Sequence, residues 1–78
     1  MEYAFDGSLE SAAEQFSQAA QLNPSYPLAH LNLGIALAKL NRPAQAIHQF
    51  EETLRLDPNN QKATDYLRAL TNPQHAKH

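Results

Sequence analysis

LAHLNLGIALAKLNRPAQAIHQFEETLRLDP, residues 28–58, holds two runs of helical length that meet at Asn41-Arg42-Pro43. The first carries Leu33, Gly34, Leu37 and Leu40. The second carries Ala46, Ile47, Phe50, Leu54 and Leu56, and Asp57-Pro58 closes it. Apolar residues recur at steps of three and four, the period of one helix face. A joint this short and polar predicts two antiparallel neighbours, a helical hairpin. Gly34 stands in the middle of the first run, where glycine costs about 1 kcal/mol against alanine. That cost predicts a close approach of the partner helix, near Ala46. Asn41 is expected in the left-handed turn that usually falls to glycine.

The second run has a fainter copy upstream. Ala12, Gln15, Phe16, Leu22 and Pro24 align with Ala46, Gln49, Phe50, Leu56 and Pro58, each pair 34 residues apart. A helix-turn-helix period of about 34 residues is that of the tetratricopeptide repeat (TPR). On Leu33-Gly34, Leu37, Ala46, Phe50, Leu56 and Pro58 the chain resembles that family over residues 3–71. The resemblance implies an all-α fold of antiparallel hairpins stacked as a short solenoid, with three main helices and a short N-terminal helical stub. One domain is expected over residues 1–72: a partial repeat at 1–26, a complete repeat at 27–60 and a capping helix at 61–72. Residues 73–78 form a polar tail.

In this register Gly7 aligns with Asn41, so Asp6-Gly7-Ser8 is expected to turn between the stub and a helix over residues 9–22. Ala12, Ala13, Phe16, Ala19 and Ala20 form the expected buried stripe of that helix, with Glu10, Glu14 and Gln18 in water. Asn23-Pro24-Ser25-Tyr26-Pro27 breaks it, because proline lacks an amide and fits only a first turn. Ser25 is the expected cap of the next helix. In the last helix Arg68 stands where the previous repeat has Gly34, so no tight second helix is expected against it. Lys62 and Arg68 supply the polar outer face that a terminal helix needs.

At 78 residues the chain holds one small domain, whose core is marginal unless each hairpin leans on its neighbour. With no cysteine there is no disulfide framework and no thiol chemistry. A net charge of −2 and six scattered Lys and Arg argue against nucleic acid as a partner. The longest apolar stretch, residues 31–40, is too short to span a bilayer, so no membrane insertion is expected. Residues 1–3 have no feature of a secretion signal, and a cytoplasmic location follows by default.

The residues offer no catalytic constellation: no glycine-rich phosphate loop and no serine with a base and an orienting group. The reading is a non-enzyme with no cofactor and no metal. His75 and His78 could touch one ion, but two ligands make a weak site. His30 is read as a half-buried packing histidine, and Glu51-Glu52 as a solvated face.

In TPR proteins the first helix of each hairpin lines a concave surface that receives extended peptides. Carried onto this chain, the resemblance places Leu28, Leu31, Asn32, Ile35 and Lys39 on that surface, joined by Lys62, Asp65 and Tyr66 of the following helix. An asparagine side chain both donates and accepts, so Asn32 can hold a peptide backbone without reading its side chains. Asn32 and Lys62 match two places of the carboxylate clamp of chaperone-docking members, while Tyr66 stands where the clamp has arginine. Leu28, Leu31 and Ile35 step along a second apolar stripe, open to a partner or folded into a widened core. The expected function is therefore protein–protein interaction, with a peptide or protein partner. The alternatives are self-assembly into a homo-oligomer and a fragment of a larger enzyme or adaptor.

Overall fold

The computed structural model describes residues 2–71. They form four helices and no strand: α1 (Glu2–Leu22), α2 (Pro27–Lys39), α3 (Pro43–Leu56) and α4 (Gln61–Thr71). Helix α2 is the centre. It packs most extensively against α3, then against α1, and touches α4, while α3 also packs on α4. Seven of its thirteen residues are buried, including Ala29, Leu31, Leu33, Gly34, Ala36 and Leu37. A helix that is apolar on several sides needs neighbours on several sides, and α2 has them.

The joint between α2 and α3 is set by a few residues. Asn41 has φ 63°, the only non-glycine residue with positive φ among those described. The Arg42 amide donates to the Leu37 carbonyl at 2.9 Å and the Asn41 amide to that of Ala38 at 3.0 Å. These two bonds are the Schellman closure, which satisfies carbonyls that the helix end leaves free. Pro43 then opens α3 at a position where its missing amide costs nothing. At the next boundary Asn60 accepts the Ala63 amide at 2.9 Å and caps α4.

Gly34 is where the hairpin closes most tightly. A Cβ there would lie 2.7 Å from the Phe50 ring. The partner helix is the one expected, but the contact is made by Phe50, one turn beyond Ala46. Phe50 is fully buried, with its other side stacked on Tyr66 at a centroid distance of 5.1 Å. Thr53, also fully buried, completes the stripe of Ala46 and Phe50, and its hydroxyl donates to the Gln49 carbonyl at 2.9 Å.

Three local expectations are corrected. The chain does not turn at Asp6-Gly7-Ser8; α1 runs through them, so stub and helix are one element. The equivalent turn after α2 is enforced by Pro43, and Leu9, in its place, keeps an amide that continues the ladder. Ser25 does not cap α2. Tyr26 holds the cap position without a side-chain bond, and Pro27 begins the helix. On α1, Ala13 and Ala20 are buried, but Ala12 and Phe16 only partly, and Ala19 is exposed.

Candidate interaction surface

The residues expected on a shared surface come from α2 and α4, which lie in contact with each other. Their side chains fall into three groups. Leu28, Lys39, Lys62 and Asp65 are exposed, Leu28 by 46%. Asn32 and Ile35 are half-buried, and Ile35 rests against the core. Asp65 accepts a bond from the Gln61 side chain at 3.0 Å across one helical turn. Among the described residues Asn32 makes no side-chain hydrogen bond.

Leu31 and Tyr66 belong to the third group. Leu31 is 5% exposed and sits in the main core cluster, so the second stripe on α2 is partly a widened core. Its place is covered because α2 has α1 on one side and α3 on the other. Tyr66 is half-buried through its stack on Phe50, which fixes the ring. At most its edge can meet a ligand. Of the expected surface residues, those left exposed are Leu28, Lys39, Lys62 and Asp65, three of them charged.

His30 is more deeply placed than half-buried. It is 8% exposed and bonded at both ring nitrogens. Nε2 lies 2.9 Å from the Pro24 carbonyl, and Nδ1 lies 2.9 Å from the Gln49 side-chain amide. The ring joins the α1–α2 connection, α2 and α3 at one point. This packing role leaves neither nitrogen for a metal. No group of three or more potential ligands gathers among the described residues; His75 and His78 lie outside them.

The acidic pair is a surface feature. Arg55 donates to both Glu52 carboxylate oxygens, at 2.8 Å to the nearer, and holds that carboxyl below its ordinary value. Arg42, at the start of α3, reaches Glu10 of α1 at 2.8 Å. Both pairs face solvent, where ion pairs contribute little.

Two hollows escaped the reading of the sequence. One, of about 380 Å³, is lined by Leu33 and Leu37 of α2 and by Ala44, Gln45, His48 and Gln49 of α3. The other, of about 420 Å³, is lined by Gln18, Gln21 and Leu22 at the end of α1. Neither contains a residue of the α2–α4 surface. They depend on which faces remain uncovered, and no single motif records that. No helix among the described residues is long and apolar enough to cross a membrane.

Comparison with known proteins gives a consistent answer. A family model described as TPR repeat matches residues 2–41, and one described as tetratricopeptide repeat matches residues 27–60. The chain is 39% identical over 61 residues to the tetratricopeptide repeat domain-containing protein PYG7, chloroplastic, of Arabidopsis thaliana. That alignment takes in 78% of this chain and 20% of the relative, so the chain spans about a fifth of the relative's length.

Proposed function

The chain belongs to the tetratricopeptide repeat family, and from that premise we propose that it is a non-catalytic interaction module that receives an extended peptide across α2 and α4. Repeats of this family generally mediate protein–protein interaction. One observation carries the finer reading. Asn32 is half-buried yet free of side-chain partners among the described residues, on a helix that touches the one bearing Lys62 and Asp65. In that arrangement Asn32 holds the peptide backbone, Lys62 and Lys39 attract acidic groups, and Leu28 and Ile35 give shallow apolar contact. Leu31 has no part in it. With this little preformed apolar area, affinity is modest and selectivity rests on polar contacts.

A fluorescence titration against an array of extended peptides, acidic C-terminal sequences included, tests the proposal. Asn32→Ala should weaken retained peptides by roughly tenfold or more, the loss of one or two hydrogen bonds. It should leave the thermal melt unchanged, since Asn32 supports no other side chain. Lys62→Ala should weaken acidic peptides more than neutral ones. An array with no saturable ligand, or one whose ligands ignore both substitutions, would refute the α2–α4 surface as the site.

A further inference from the structure

The 380 Å³ hollow between α2 and α3 has a floor and a rim of different chemistry. Leu33 and Leu37 stand one turn apart on α2 and keep a last apolar flank towards it, each 7% exposed. Ala44, in the first turn of α3, adds only a methyl group, too small to fill the space. The rim is Gln45, His48 and Gln49. Gln49 is held by the His30 ring at 2.9 Å. Gln45 and His48 are exposed and stand three residues apart, on one side of α3. Neither makes a side-chain hydrogen bond among the described residues. The described residues that line the hollow include no carboxylate, ammonium or guanidinium. Arg42 and Glu52, before and after it on α3, are paired with Glu10 and Arg55.

We infer that this hollow receives one tyrosine side chain of a partner protein, with the ring on Leu33 and Leu37 and the hydroxyl between Gln45 and His48. Each alternative leaves something unmatched. An ion would give up its water without meeting an opposite charge. An aliphatic side chain or a phenylalanine would cover Gln45 and His48 and leave them without partners. An indole only donates, whereas a phenol donates to one rim group and accepts from the other. The size agrees, because 380 Å³ is at the low end of ligand clefts, which run from roughly 300 to 1,000 Å³. There is room for one ring and none for a helix. The hollow shares no residue with the α2–α4 surface, so either site can fail without the other.

The test titrates N-acetyl-tyrosinamide into the isotope-labelled 78-residue chain and follows the amide resonances. Saturating shifts are expected at Ala44, Gln45 and His48, with a roughly millimolar dissociation constant, the scale of a single side chain. N-acetyl-phenylalaninamide should bind roughly fivefold more weakly, the effect of losing one hydrogen bond. Gln45→Ala should erase most of that difference. Ala44→Leu fills the hollow and should abolish binding, whereas Asn32→Ala should leave it unchanged. Ala44 and Gln45 are exposed, so A44L and Q45A leave the fold intact, and circular dichroism checks this. A Gly-Gly-Tyr-Gly-Gly peptide should bind as tightly as the single residue. Absence of saturable shifts at these residues overturns the inference, as does a phenylalanine analogue that binds equally well. Shifts that persist in A44L and vanish in N32A would assign the ligand to the α2–α4 surface and refute the hollow. Entry of the single residue with exclusion of the peptide would mark a site for a free small molecule and refute a partner's side chain.

Discussion

Helices α1 and α3 carry the same pattern and meet different fates. Ala12 and Ala46, Phe16 and Phe50, Leu22 and Leu56 are matched residue for residue, yet the α3 member is the more deeply buried each time. Phe50 of α3 touches both neighbours, Gly34 of α2 and Tyr66 of α4. Helix α3 has α2 before it and α4 after it. Helix α1 packs mainly on α2. Ala13 joins the shared core and Phe16 packs against it, while Ala19 and Leu22 stay exposed. Burial in a repeat protein is therefore a property of neighbours, and a stripe read from sequence is only an offer of a contact.

The strongest test of that contrast is truncation of the two phenylalanines. Phe50 is wholly buried between Gly34 and Tyr66, so Phe50→Ala should cost about 3–5 kcal/mol, a large cavity in a small core. A domain of 78 residues is stable by only about 4–12 kcal/mol, so this variant should lose a large share of its stability and unfold at a much lower urea concentration. Phe16→Ala should cost roughly half as much, because water already reaches part of the ring. Urea titration followed by circular dichroism separates the two. Equal losses would mean that α1 is as well covered as α3, and the asymmetry would fail.

A second pair probes the tight contact itself. In an ordinary helix interior Gly→Ala gains about 1 kcal/mol. At Gly34 the added methyl meets the Phe50 ring at 2.7 Å, so Gly34→Ala should instead lose about 1–3 kcal/mol overall. Arg68→Gly makes the reverse change at the equivalent, exposed position of α4 and should cost only the propensity, about 1 kcal/mol. Thermal melts read both. A stabilised G34A would show that Phe50 yields easily and that the glycine serves no packing purpose.

His30 sharpens the comparison at the polar level. Its equivalent in the next repeat is Thr64, whose hydroxyl donates to the Asn60 carbonyl within its own first turn. His30 reaches two other elements. His30→Ala should cost about 1–2 kcal/mol by leaving Pro24 and Gln49 without their partner, while Thr64→Ala should cost less than half of that. Hydrogen exchange should locate the H30A loss at the junction of α1 and α2.

The hairpin was legible because each of its signals is local. Asn41, Pro43 and Asn60 act on their own backbone within a few residues, and Gly34 marks a close approach whichever atom makes it. What escaped the sequence depends on neighbours. Thr53 reads as a polar helix residue, although its spacing from Ala46 and Phe50 puts it on the buried stripe, and its hydroxyl can bond back to Gln49 once water is excluded. Leu31 reads as a groove residue until α1 is laid against α2. Tyr66 reads as a surface aromatic until Phe50 offers it a ring. For the open surface the sequence supplied Asn32 and Lys62 through resemblance alone, and nothing in their spacing says that a peptide lies on them.

The smallest expected effect concerns the one turn that sequence and structure place differently. Gly7 aligns with Asn41, whose left-handed backbone ends α2, yet Gly7 lies within α1. The two conformations predict opposite signs for one substitution. In a helix, Gly7→Ala removes conformational freedom from the unfolded chain and improves propensity, so stability should rise by up to about 1 kcal/mol. In a left-handed turn the new methyl would be strained, and stability should fall by a similar amount or more. Thermal melts of Gly7→Ala against the parent chain decide between them. A rise places α1 as one helix across Asp6-Gly7-Ser8. A fall restores the hairpin turn, and α1 would then begin near Leu9 as α3 begins at Pro43.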